Sequence, residues 1–227
     1  MTHVIKLVAK SILKLLNPSS FANTEIACAT ANGKITTEIR TMSVVDRVRL
    51  LAIYLKSSPQ RKQAWEALCK EHNLPQTVLQ YNVETRWNST YKMLQSSIKL
   101  KEQMKLYLDE TKILPAFIDH DWHRIEQVCS VLRWLDSATE TVSRKGSGAF
   151  CTLSLYYFLQ NQLRPAVARI GEYKNLDHDI SEAVAAGLKK CERYYILADS
   201  RDIYYVALFL DPRDKGHSLN VELDKEN

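Results

Sequence analysis

The sequence predicts a mainly α-helical chain with at most one or two short strands. Apolar residues recur three or four apart through most of its length, the spacing that lays them along one face of a helix. Only Leu79, Tyr81 and Val83, alternating with Gln80, Asn82 and Glu84, keep a period of two, enough for a single short strand. With 45% hydrophobic and 25% charged residues, the 227-residue chain has the composition of a folded, soluble protein and not of a disordered one.

The chain opens directly on a helical pattern. Val4, Ile5, Val8, Ile12, Leu15 and Leu16 form the apolar face, and Lys6, Lys10 and Lys14, four apart, form the other. Residues 17 to 42 hold no period and read as a loop. Ser43 then caps a helix with Asp46 in its first turn and Val44, Val48, Leu51 and Leu55 along one face. Ser58-Pro59 starts the next, because proline lacks only an amide hydrogen that would have no partner at the first helical position; it runs through Ala64, Trp65 and Leu68 until Leu74 and Pro75 end it.

After the strand, one helix of about twenty residues is expected from Asn88, with Tyr91, Leu94, Ile98, Met104 and Leu108 inward and Lys92, Lys99, Lys101 and Lys105 outward. Asp121 is expected to cap a helix carrying Trp122, Ile125, Val128, Leu132, Leu135 and Val142, broken at Gly146-Ser147-Gly148 in a helical hairpin. Thr152 is expected to cap the following helix through Leu155, Phe158, Leu159, Leu163 and Ile170, kinked at Pro165. Ile180, Val184, Leu188 and Cys191 mark another, and Ile203, Val206 and Leu210 a short last one stopped by Asp211-Pro212. The polar end from Lys215 is expected to fray.

Several function classes lose their usual signatures. The five cysteines lie too far apart for a C-x-x-C pair, which argues against a zinc ribbon or a redox motif and suits a reducing intracellular compartment. No run of about 20 apolar residues exists to span a membrane. Six glycines form neither a dinucleotide turn nor a phosphate loop, so no nucleotide cofactor is expected, and no G-x-S-x-G elbow is present. Asp119-His120-Asp121 and Asp177-His178-Asp179, with His123 near the first, are the best metal candidates. Each also sits at a helix start, where acids meet unpaired amides and the positive end of the dipole, and no metal is assigned.

Charge is uneven. Residues 1 to 118 carry eight more Lys and Arg than acids, and residues 119 to 227 carry three more acids than bases, so a polyanion should prefer the first half. The acid-free first 24 residues admit two readings, a presequence or membrane-surface helix and an ordinary amphipathic helix with a lysine face.

The run Glu84-Thr85-Arg86-Trp87-Asn88-Ser89-Thr90-Tyr91, followed by Met93-Leu94, resembles the T-R-W-N-S-T-x-x-M-L signature of the hAT superfamily of DNA transposases. Further resemblances follow the family's order. His3-Val4-Ile5 with Leu7-Val8 resembles its C-x-x-H helix, Ser58-Pro59-Gln60-Arg61 its S-P-x-R helix start, and Asp121-Trp122 its acid-Trp pair. Thr152-Leu153-Ser154 resembles its T-L-S, and Leu210-Asp211-Pro212-Arg213 its L-D-P-R. The chain departs from the family at Lys6, where asparagine is usual, and at Asp214, where an aromatic is.

The resemblance implies a ribonuclease H-like domain interrupted by a helical insertion: residues 1 to 84 a partial ribonuclease H-like remnant, 85 to 215 the all-helical insertion, and 216 to 227 a polar tail. The family's metal-holding carboxylates would lie before His3 and beyond the L-D-P-R element, so the chain is expected to be a catalytically incomplete central fragment, not an enzyme by itself, and without cofactor. Weak nonspecific DNA binding in the nucleus is the implied function, with self-association, and with neither membrane nor nucleotide as partner. The alternatives are a helical protein-interaction module and an incomplete gene model of an active transposase.

Arg86, Trp87, Lys92 and Lys99 are the implied DNA-binding residues, while His3, Thr85, Asn88, Ser89, Asp211, Pro212 and Arg213 carry the motifs. By the resemblance Trp87 would stack on a displaced base and Arg86 hold a phosphate. The other reading makes Trp87 an anchor between strand and helix, with Arg86 paired to Glu84 or another acid. A catalytic domain cut through its sheet should also leave Val4, Val8 and Ile12 without a partner.

Overall fold

A computed structural model describes residues 1–17, 42–80, 87–143 and 151–210. Helix makes up 82% of the described residues and none of them is in a strand, so the fold is all-helical there. The expected strand falls mostly outside the described residues; Leu79 and Gln80, its first two, belong to an irregular stretch. Two compact units divide the chain: Lys14–Ser130, and Met1–Leu13 with Val131–Asn227. The expected boundary at 84/85 lies inside the first of these, since packing rather than motif order defines the units.

Helix α1 (Thr2–Leu16) buries Val4, Ile5, Val8, Ala9 and Ile12, and leaves His3, Lys6 and Lys10 exposed. Its apolar face is therefore partnered, against the expectation of an unmatched one. Leu15, read as part of that face, is exposed.

In the unit 14–130, α2 (Val44–Lys56) is the central element, buried on nearly every side. Ser43 caps it, its Oγ accepting from the Asp46 amide at 3.2 Å. Helix α3 (Pro59–Glu71) starts at the expected proline. It ends in a Schellman turn in which Asn73 adopts φ 54, its amide donating to the Lys70 carbonyl at 3.2 Å and the Leu74 amide to Cys69 at 2.7 Å. The expected long helix is instead two, α4 (Trp87–Lys99) and α5 (Lys101–Thr111), because Leu100 leaves helical geometry at φ −105, ψ 20. Met93, Leu94, Met104 and Leu108 are all fully buried, so the break re-aims the second half without losing its apolar face. The Trp65 ring packs on Tyr107 with centroids 5.4 Å apart.

Helix α6 (Asp119–Ser143) begins two residues before the expected cap. Asp121 works from inside the first turn, its Oδ2 accepting from the Ile118 amide at 3.0 Å, which is the returning half of a capping box.

The other unit is built from α1, the later part of α6, α7 (Cys151–Ala168), α8 (His178–Asp199) and α9 (Asp202–Phe209), with a 3-10 turn at Gly171–Tyr173. Helix α7 packs chiefly on α8; Leu155, Tyr156, Leu159 and Leu163 are buried on the one and Val184, Leu188 and Cys191 on the other. Thr152 is its second residue rather than its cap, and Pro165 lies in its last turn, where the helix ends three residues later. Trp134 Nε1 donates to Tyr173 Oη at 2.7 Å, fixing the short turn to α6. The Asp199 carboxylate receives the hydroxyls of Tyr195 and Tyr205, which ties α9 to the end of α8. On α9 the buried residue is Leu208; Ile203 and Val206, read as its apolar face, are 62% and 51% exposed, and Leu210 just beyond it is 76% exposed. The expected hairpin at 146–148 and stop at 211–212 lie outside the described residues.

Candidate nucleic-acid interface

The T-R-W-N-S-T run leads into α4, and a groove of about 560 Å³ runs along that helix. One wall is the irregular stretch after α3, represented by Pro75, Thr77 and Gln80. The other is a line of residues three or four apart: Lys92, Gln95 and Ser96, Lys99, and Gln103 at the start of α5.

A stretch without regular structure must place its backbone hydrogen bonds elsewhere. Here side chains take them. Trp65 Nε1 donates to the Thr77 carbonyl at 3.1 Å, Gln103 Nε2 to Pro75 O at 3.4 Å, and the Gln80 amide to Ser96 Oγ at 3.4 Å. Buried Leu79 adds an apolar pin. The groove therefore has a fixed wall and a polar floor.

Lys92 and Lys99 are exposed on its edge, and neither pairs with an acid among the described residues. Seven residues of helix separate them by roughly 10 Å along the axis. They are two unneutralised cations beside a polar cleft, an arrangement suited to an extended anion. The helix spacing of both lysines was visible in the sequence; the contribution of Gln80, Gln95, Ser96 and Gln103 was not, although the polar line 95–96–103 beside them was a signal.

Trp87, the first residue of α4, is only 6% exposed. Its ring is largely buried, which leaves little of its face open for stacking. Asn88 and Ser89 are half-buried in the same turn, and His3 is exposed on α1. Thr85, Arg86, Asp211, Pro212 and Arg213 lie outside the described residues.

A second feature of this unit escaped sequence reading. Asp46, fully buried, accepts from Arg49 Nη1 at 2.6 Å, and Arg47 meets Asp121 while its guanidinium lies 4.8 Å from the Phe117 ring centre. A cavity of about 360 Å³ opens beside them, lined also by Ser43, His120 and Arg124. Of its lining groups, Arg47 is paired with Asp121, which makes that pair part of the packing of this unit. Among the described residues no group of three or more His, Cys, Asp or Glu converges as metal ligands. No helix among them is long and apolar enough to cross a membrane.

Residues 27–131, which include this signature and this groove, match the model of the ZBED1 RNase-like helical domain. The chain is similar to BED zinc finger and transposase proteins, in keeping with the hAT-type signature in its sequence. It is 24% identical over 220 residues to the human zinc finger BED domain-containing protein 4, a match covering 95% of this chain and 18% of that protein. A putative AC transposase of Zea mays is 25% identical over 188 residues, covering 80% of this chain and 22% of the relative. Zinc finger BED domain-containing protein RICESLEEPER 2 of Oryza sativa subsp. japonica is 22% identical over 185 residues, covering 80% and 24% respectively. The chain thus spans about a fifth of the length of these relatives. No solved structure matches it.

Proposed function

We propose that the chain is a transposon-derived helical module that holds nucleic acid weakly and without sequence preference, and that by itself neither cuts nor joins DNA. The observation that carries this is the groove beside α4, whose two exposed lysines have no acid partner among the described residues. Lysine without a bidentate partner geometry contributes charge, not base recognition, so phosphate contact without specificity follows. The catalytic half of the proposal rests on the resemblance: the family's metal-holding carboxylates have no matched position in this sequence. Nuclear residence goes with the reading.

Anisotropy titration with a short labelled duplex tests it. Binding at low salt is expected in the range of about 10⁻⁴ to 10⁻⁶ M and must weaken steeply as salt rises. Lys92→Gln/Lys99→Gln should lower the salt slope by about 2, one counterion release per lysine. Binding indifferent to that double change would sink the groove, and metal-dependent nicking of a supercoiled plasmid would sink the claim of inactivity.

A second reading, a helical protein-interaction module, is favoured by one observation: Ile203, Val206 and Phe209 on α9 and Leu210 beyond it are each more than half exposed. Absence of any DNA binding together with concentration-dependent association would select it.

A further inference from the structure

We propose that the outer face of α1 is a second nucleic-acid contact, made by charge alone and separate from the groove beside α4. His3, Lys6, Lys10 and Lys14 fall three or four apart along α1, and all four are exposed. No acid occurs anywhere in the helix, and none of the three lysines has an ion-pair partner among the described residues. Like charges four apart on a helix oppose each other, a cost that a bound polyanion removes. The ridge also lies outside residues 27–131, which carry the family match.

Two observations identify the ligand. The row is a line of flexible ammonium groups on one helix, so it offers no enclosure for a small anion and fits an extended one. Lys6 to Lys14 covers roughly 12 Å of helix, and a duplex presents about one phosphate per 1.7 Å of its axis, enough charge to meet every lysine in the row. An anionic membrane surface would need the apolar face of an amphipathic helix to enter the lipid. In α1 that face is spent: Ile5, Val8, Ala9 and Ile12 are fully buried in the protein.

The test uses the full chain and a labelled random-sequence duplex, titrated by anisotropy across a salt series. Lys6→Gln/Lys10→Gln/Lys14→Gln is expected to reduce the salt slope by about 2 to 3, the counterion release of three phosphate contacts. The corresponding triple arginine variant should restore it, and both should melt as the wild type does, since the changed side chains are exposed. An unchanged slope in the glutamine variant overturns the proposal while leaving the groove untouched. If Lys92→Gln/Lys99→Gln changes nothing but the α1 variant does, the groove falls and this contact stands. Failure of the wild type to bind the duplex overturns both. Tighter, lysine-dependent binding to vesicles containing phosphatidylserine than to the duplex would overturn it in favour of a membrane.

Discussion

Gly187 on α8 lies so close to Ile12 on α1 that a Cβ placed on the glycine would stand 2.6 Å from Ile12 Cγ1 and 2.8 Å from its Cδ1. The glycine is there for close approach, at a helix-interior position where alanine would otherwise be preferred by about 1 kcal/mol. Gly187→Ala should therefore destabilise by about 1 kcal/mol net, because overpacking costs about 1 to 3 and the propensity gain offsets only part. In an Ile12→Ala background the same change should become neutral or stabilising, a coupling read by urea denaturation of the four variants. Additive effects would show that the two helices do not meet this closely in solution.

Trp87 gives a prediction opposite to a base-stacking role. Its ring is buried, so Trp87→Ala should cost about 3 to 5 kcal/mol of stability. Affinity for single-stranded DNA, measured well below the lowered melting temperature, should stay within about twofold of wild type; a loss of about 1 to 3 kcal/mol with an unchanged melting point would restore the stacking role.

The Asp46–Arg49 pair tests what a buried charge does in α2. Asp46 is fully buried and bonds both Arg49 and the Ser43 hydroxyl. Removing it breaks a buried ion pair, so Asp46→Ala should lose about 3 to 5 kcal/mol in equilibrium unfolding. Ser43→Ala, which removes the cap, should lose about 0.5 to 2 kcal/mol. A loss below about 1 kcal/mol for Asp46→Ala would mean that water reaches this helix.

Alkaline pH should unfold the protein from a defined point. Burial pushes the Cys129 and Cys191 thiols up to about 12, with nearby Glu126 and Glu192 adding to it, and burial likewise raises the Tyr107 phenol to about 12. Groups raised above their unfolded values, about 8.5 for a thiol and 10 for a phenol, hold stability fully below those values and lose it as pH climbs towards 12. The urea midpoint should stay level between pH 6 and about 8, then fall, and Cys129→Ala/Cys191→Ala should flatten the first part of that fall. Both thiols should resist a disulfide reagent in the native protein at pH 8; rapid reaction would contradict their burial.

Much of the local structure was legible because its causes are local. The cap at Ser43, the proline start at Pro59 and the end of α3 before Pro75 each depend on a few neighbouring backbone groups. The 3.6-residue period placed Val4, Val8, Ile12, Leu51, Trp65, Leu94 and Trp122 in the interior without knowledge of their partners. The same spacing put Lys92 and Lys99 on one side of α4, which made the groove's charge readable before its walls were known.

Other features rest on contacts between residues distant in sequence. Periodicity marks an apolar face but does not say whether another element covers it, so α9 buries Leu208 and exposes Ile203 and Val206, while α1 finds Gly187 on α8. The break at Leu100 re-aims two half-helices whose combined pattern looked like one. Arg47 meets Asp121 across 74 positions of sequence, and Gln103 reaches back to Pro75 to fix the groove wall. By itself, then, the sequence determined where most helical segments lie, the cap at Ser43, the family-like signature and the charge of the first half, all short-range properties of neighbouring side chains and backbone. Only the tertiary structure decided that Trp87 is buried, that α1 has its partner, and that two lysines border a groove, because burial and concavity exist only once separate segments have packed together.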